Sequence, residues 1–323
     1  WYTNPNFISN IIDKNIYITT TINGGSTTVQ ISDEHFRQYL IDNFSNISTS
    51  SFNGNNEIDV SLVNTITNIN ISNKPITDLT GIEAFSGLSY LYIYNTPITG
   101  DLNLSSNSNL SFINFYNTYR VAGHDGLSNL NISNGNDNLT VYLYYHHNLQ
   151  TLSLSNTLKS FSIYYQSSIQ STSSMQGLLD NLSSCTITDN FAVNGGILNL
   201  DFLNNSLGLN RLTLSSSSTI QSLDLSLFTN LNSLNVSGCY ILSTLVLHND
   251  AINILTSLTI YNTSLQNFNY NSFTNLTYLN LGYLDLSSIG LPNFPNLVDL
   301  HCYSCNLQSA DLSIYPNLAY LNL

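Results

Sequence analysis

The sequence predicts a mainly-β solenoid, a flattened coil of 21–24-residue repeats with two short strands per coil and a small helical N-terminal cap. Two observations carry this. An eleven-residue stretch, Leu88–Ile98 (LSYLYIYNTPI), recurs in phase at Leu110–Arg120, Leu231–Ile241, Leu255–Leu265 and Leu297–Leu307. A shorter unit interleaves with it about ten residues away, at Asp101–Leu104, Leu223–Ser226, Leu245–Leu247, Phe268–Tyr270 and Ala310–Ser313. Alternation within each unit points aliphatic side chains inward and polar ones outward on a strand. Two such segments per turn share one thin core, and the chain grows by stacking turns rather than adding new cores.

The elements follow in order. Residues 1–26 read as a leader or linker: Phe7 through Asp13 echoes Phe36 through Asp42, and Asn23-Gly24-Gly25-Ser26 is a turn. Residues 27–61 read as a helical cap, with Ser32 or Asp33 as N-cap and Phe36, Tyr39, Leu40 and Phe44 on one helical face. Such a cap covers the apolar end that a first repeat would otherwise expose. Ser51–Asp59 (SFNGNNEID) resembles a calcium loop with its acids replaced by Asn, and a plain turn is the better reading. Residues 62–323 form the solenoid. Its main units start 22 residues apart at Ile66, Leu88 and Leu110, then at Leu231, Leu255, Leu276, Leu297 and Leu318, with spacings of 24, 21, 21 and 21. The form L-x-x-L-x-L-x-x-T-x-I is the leucine-rich-repeat signature.

Between 120 and 200 the spacing drifts. Units persist at Leu127–Ile132, Leu139–Leu143, Leu149–Leu154 and Phe161–Ile163, and Ser173–Leu182 has the period of an amphipathic helix. Asn194-Gly195-Gly196 then turns into a strand at Ile197–Leu200. The last residues, LAYLNL, stop within a repeat, so a C-terminal cap or sorting domain is expected beyond them.

Composition narrows the function. Lys and Arg total 6 against 19 Asp and Glu, a net charge of −13, which disfavours nucleic acid and anionic membrane surfaces. No apolar run is long enough to span a bilayer. No G-x-S-x-G, H-E-x-x-H, phosphate-loop or dinucleotide fingerprint is present, so the chain reads as a non-enzyme with no cofactor. Recurrent acids such as Asp224 and Asp311 read as structural. Cys302-x-x-Cys305 is half a zinc pattern with no second half; Cys239, Cys302 and Cys305 fall on inward positions and read as buried thiols, and no metal site is expected.

Candidate binding residues lie on the outward positions of the main strands, numbered 3, 5 and 7 of the repeat. These give Tyr90, Tyr92, Tyr94, Asn114, Tyr116, Tyr261, His301 and Tyr303, expected on the concave face. With strands about 4.8 Å apart, such residues form lanes of rings and amides. Tyr supplies flat apolar area with a polar tip, suited to stacking on sugars or to protein contact, and also to cross-strand pairing that serves the sheet alone. Asn73, Asn95, Asn117 and Asn262 at position 8, and Thr96, Thr118 and Thr263 at position 9, are expected to hydrogen-bond backbone groups at the strand-to-turn transition.

Ile31–Phe44 followed by Ile66–Phe85, with its D-L-T-G-I-E-x-F ending at Asp78–Phe85, resembles the cap and first repeat of bacterial surface leucine-rich-repeat proteins. The later alternation is similar to repeats of secreted Bacteroidetes proteins, and the resemblance covers roughly residues 27–323. It implies a secreted or cell-surface binding or adhesion module that recognises a protein or glycan. An alternative is a structural surface protein or passenger subunit of an outer-membrane or surface-layer assembly. The irregular middle and the sparse charge depart from the family's pattern.

Overall fold

The computed structural model describes residues 27–323 apart from 118–125, 137–138, 147, 156–157, 165–174, 177–181, 189–202, 204–205, 217–219, 266–272, 289 and 292. The expectations for residues 1–26, 197–200 and 268–270 lie outside the described residues.

The fold is a leucine-rich-repeat β-solenoid. Its spine is a twelve-stranded parallel sheet that runs from Asn68–Ser72 through Tyr90–Tyr94, Phe112–Tyr116 and Thr140–Tyr144 to Tyr320–Asn322. Each coil contributes one strand, and the strands pair in strict order along the chain. Position 4 forms a single inward lane in which Ile69, Leu91, Ile113, Val141, Phe161 and Cys185 pair across successive strands. The lane continues through Leu212 to Leu300, and all these residues are buried. Removing each such side chain from water stabilises the coil by roughly 1.5–3 kcal/mol. Burial on the strands alternates strictly, as in Phe112–Tyr116 and Ser233–Ser237, so the outward positions are left free of the core.

The return side of the coil is less uniform than the sequence implies. Gly100–Asn103, Leu127–Ile132, Thr151–Leu154 and Met175–Gln176 form a second, four-stranded sheet, and Ser222–Leu225 pairs with Thr244–Leu247. The irregular middle is thus resolved: Leu127–Ile132 and Thr151–Leu154 belong to the return side, while Thr140–Tyr144 and Ser160–Tyr164 belong to the long sheet. Among the described residues, two coils carry a 3-10 turn on the return side, at Ile82–Ala84 and at Leu312–Ile314, the latter where a strand was expected over Ala310–Ser313. Of the helix expected at Ser173–Leu182, Met175–Gln176 instead pairs with Leu152–Ser153; most of the remainder is outside the described residues.

Three side-chain devices hold the coils together and shape their turns. Asn109, Asn230, Asn275, Asn296 and Asn317, each immediately before position 1, donate to a carbonyl of the preceding coil at 2.5–3.0 Å. Asp78, Asn103, Asn131, Asp224, Asp285 and Asp311 accept from the backbone N–H two residues on, closing turns after the return segment. This is the structural role expected of the recurrent acids.

The third device meets an expectation in part and adds a cause to it. Position 8 holds a left-handed backbone, at Asn73 (φ 53°), Asn95 (φ 47°) and Asn262 (φ 53°), and also at Tyr145, Ser216, Tyr283 and Ser304. Asn is favoured there because it tolerates positive φ. The amide of Asn95 donates to Asn73 Oδ1 at 2.7 Å, one coil back, and that of Asn117 donates to the backbone at Tyr145 O, 3.5 Å away, as expected. At position 9 the Thr96 hydroxyl donates to Tyr94 O as expected, whereas the buried Thr263 hydroxyl has no partner among the described residues. The thiols of Cys239 and Cys305 occupy the same position and lie against the carbonyls of Ser237 and Tyr303. All four cysteines are buried, and none forms a disulfide among the described residues.

The first strand's edge is covered by the helix Glu34–Asn43, capped by Asp33. Phe36, Tyr39 and Leu40 are its buried face, and Phe36 stacks on Phe85 of the first coil. Tyr39 Oη donates to Asn70 O at 3.1 Å and accepts from Asn70 N at 3.0 Å. One phenol thus satisfies both backbone groups that the edge strand would otherwise leave unpaired. Asp33 caps Phe36 N and also accepts from Thr77 N, Thr77 Oγ1 and Asp78 N, pinning helix to coil. The Ser51–Asp59 loop is closed by its own side chains: Asn53 accepts from Asn55 N and Glu57 N and donates to Glu57 Oε2.

Candidate functional site

The outward positions of the long sheet place side chains in lanes that cross the strands. Position 7 holds Tyr94, Tyr116, Tyr144 and Tyr164 in direct register. Their rings form a continuous ladder, with centroids 5.3, 4.9 and 4.4 Å apart and the last pair stacked nearly parallel at 6°. Tyr90 stacks on Phe112 at 4.8 Å and 4°, Phe112 meets Tyr142 at 5.8 Å, and Tyr92 lies parallel to Tyr94. Tyr145 meets the ladder edge-on at Tyr116.

Stacking has a chemical consequence. A ring packed face to face presents its edge and hydroxyl tip to solvent, not its π surface. Burial pushes the Tyr144 phenol up to about 12, reinforced by Tyr164, Tyr142 and Tyr116. A hydrogen bond with Tyr145 and burial raise Tyr116. At Tyr116 and Tyr144 the ladder therefore carries neutral hydroxyls.

A second group lies further along the sheet. Tyr261, Tyr283 and Tyr303 meet pairwise at 5.4–6.0 Å. Gly282 lies in the turn after strand Tyr278–Asn280, between Tyr261 and Tyr303, and a Cβ there would come within 3.0 Å of Tyr303 and 3.1 Å of Tyr261. Glycine lets the two rings lean together over the intervening turn. Burial, and a hydrogen bond with Tyr261, raise the Tyr303 phenol. His301 lies between Tyr278 at 5.5 Å and Tyr320 at 5.3 Å.

The eight residues singled out from sequence therefore fall into two groups, not one. Tyr90, Tyr92, Tyr94, Asn114 and Tyr116 share the first; Tyr261, His301 and Tyr303 share the second. Tyr116 and Tyr261 are six strands apart, about 29 Å at the usual strand spacing. Asn114 lies in register between Tyr92 and Tyr142; the residue is half-buried, and its amide oxygen is buried with no partner among the described residues. Sequence reasoning missed Phe112, Tyr142, Tyr144 and Tyr164. The signal was present: TVYLY and SFSIY repeat the x-Φ-x-Φ-Y form of YLYIY and FINFY, with Φ an apolar residue.

Between the groups the face is floored by small hydroxyls and amides: Thr186, Thr188, Thr213, Ser215, Asn235 and Ser237. Among the described residues no group of three or more His, Cys, Asp or Glu is placed to hold a metal ion, and no helix is long and apolar enough to cross a membrane.

No protein-family model and no curated protein matches the chain. Solved structures do. An internalin, InlF, from Listeria monocytogenes is similar over 90% of this chain and 88% of its own, at 18% identity and TM-score 0.52. A leucine-rich-repeat protein of Leptospira interrogans matches over 81% of this chain and 85% of its own, at 16% identity and TM-score 0.37. At such identity the likeness is one of fold.

Proposed function

We propose that this chain is a secreted or cell-surface adhesion module whose long-sheet face binds a protein. The observation that carries the reading is the tyrosine ladder from Tyr94 to Tyr164, four rings in register on outward positions the core does not use. Tyrosine edges and hydroxyls give mixed apolar and polar contact at little cost in side-chain ordering, which suits protein recognition. A glycan ligand is less well served: stacking on sugars needs open ring faces, and here the faces are turned against one another. The internalin likeness supports the scaffold of this reading and not a particular ligand. The role is binding without catalysis.

The test is to probe arrays of extracellular proteins and of glycans with the purified chain and with a Y94S/Y116S/Y144S variant. Protein hits lost in the variant, with its far-ultraviolet circular dichroism retained, are the expected result. Hits that survive in the variant, or hits confined to glycans, would overturn it.

A further inference from the structure

Among the described residues, formal charge on the strands of the long-sheet face is confined to two places. Of the outward positions on its twelve strands, Arg211 and Asp299 alone carry a formal charge; the rest are Tyr, Phe, Ser, Thr, Asn or His. Arg211 and Asp299 stand four strands apart, about 19 Å at the usual spacing. That exceeds the physiological Debye length of about 8 Å, so Asp299 does not neutralise Arg211. Lys159, one residue before strand Ser160–Tyr164, adds positive charge at the same edge of the sheet two strands away. In a chain of net charge −13, the middle of this face is the positive exception.

The surroundings of Arg211 are equally particular. It is exposed, and the register flanks it with Ser184 and Ser233 on the neighbouring strands. Tyr164 and Tyr261 stand four strands apart on either side of this floor, leaving a gap of about 19 Å between the aromatic banks. An α-helix of about 10–12 Å diameter fits such a gap. A helix lying along the strands in this gap would run from the position of Tyr164 and Tyr261 to that of Arg211 and cover the guanidinium, and a covered charge without a counter-charge opposes binding.

We infer that Arg211, with the Ser184 and Ser233 hydroxyls beside it, is a carboxylate subsite that receives an Asp or Glu side chain from a protein partner seated between the two tyrosine banks. The planar guanidinium matches a carboxylate with two parallel hydrogen bonds, and flanking hydroxyls can donate to its remaining lone pairs. The charge selects the partner while the aromatic banks supply contact area. The inference rests on the protein-binding reading of the same face.

The test uses a displayed library of random peptides, selected separately on the wild-type chain, on R211E and on Y116S/Y144S. Wild-type selection is expected to enrich one Asp or Glu position, and the selected peptides should bind R211A about 30-fold more weakly or worse. Selection on R211E should replace the acid with Lys or Arg. A wild-type selection without an acidic consensus, or peptides that bind R211A undiminished, would overturn the subsite. So would Arg211-dependent binding of acidic glycans in place of peptides. If peptides are lost on Y116S/Y144S but indifferent to Arg211, the subsite fails and the protein-binding reading stands. If they are indifferent to both, both fail.

Discussion

The strand Phe112–Tyr116 and the strand Arg211–Ser215 have the same backbone and the same inward residue class, yet opposite outward faces. Inward, Ile113 and Phe115 match Leu212 and Leu214, all buried. Outward, one strand shows Phe112, Asn114 and Tyr116, the other Arg211, Thr213 and Ser215. The scaffold accepts a wall of stacked rings or a floor of hydroxyls without changing register. The outward positions are therefore free to be chosen for what they touch.

The largest effects should fall where the two strands are alike. Ile113→Ala and Leu212→Ala should each destabilise their coils by about 2–5 kcal/mol, since both leave a cavity in a one-layer core. Hydrogen exchange resolved by coil is the suitable measurement, because stability in stacked repeats is local as well as global. A large difference between the two variants would break the claim that the inner lane is uniform.

Intermediate effects should fall where they differ. Tyr116→Ser removes ring contacts with Tyr94 and Tyr144, worth about 0.5–1.5 kcal/mol each. Ser215→Ala at the same position should stay within about 0.5 kcal/mol. Equal costs would mean that the ladder adds nothing to its sheet. In the second aromatic group, Gly282→Ala should cost about 1 kcal/mol and part the Tyr261 and Tyr303 rings, visible as a change in near-ultraviolet circular dichroism.

The smallest effect concerns the cap. Burial alone would raise the Asp33 carboxyl, but hydrogen bonds from Thr77, Phe36 and Asp78 outweigh it and hold it below its ordinary value. Its contribution is complete above the unfolded value of about 3.9 and is lost as pH falls through the lowered folded value. Exchange protection of the helix Glu34–Asn43 should therefore weaken in that acid window, and Asp33→Ala should remove the pH dependence.

The same comparison explains what the sequence made legible. Inward lanes repeat aliphatic residues, so periodicity reveals them wherever spacing is regular. The ladder's second half was hidden by spacing: 28 residues separate Ile113 from its partner Val141, and 20 separate Val141 from Phe161. Loops of such different length change nothing in the sheet but defeat a fixed 22-residue ruler. The Asn residues before position 1 were visible as Asn-Leu pairs, but their partners lie a whole coil earlier and emerge only when coils stack. At position 8 the residue type was read for its amide, which holds at Asn117, whereas at Asn73, Asn95 and Asn262 the left-handed backbone also favours it. Gly282 carried no pattern at all, because its role exists only between two rings from neighbouring strands.

The central claim is that the outward face of the long sheet, and not another exposed aromatic surface, meets the partner. Tyr240, 54% exposed on a turn outside the long sheet, supplies an internal control. The direct measurement is tyrosine modification by hydroxyl-radical footprinting, with and without a protein hit from the array. Protection of Tyr94, Tyr116, Tyr144 and Tyr164 with Tyr240 unchanged is the predicted result; protection of Tyr240 with the ladder unchanged would contradict the account.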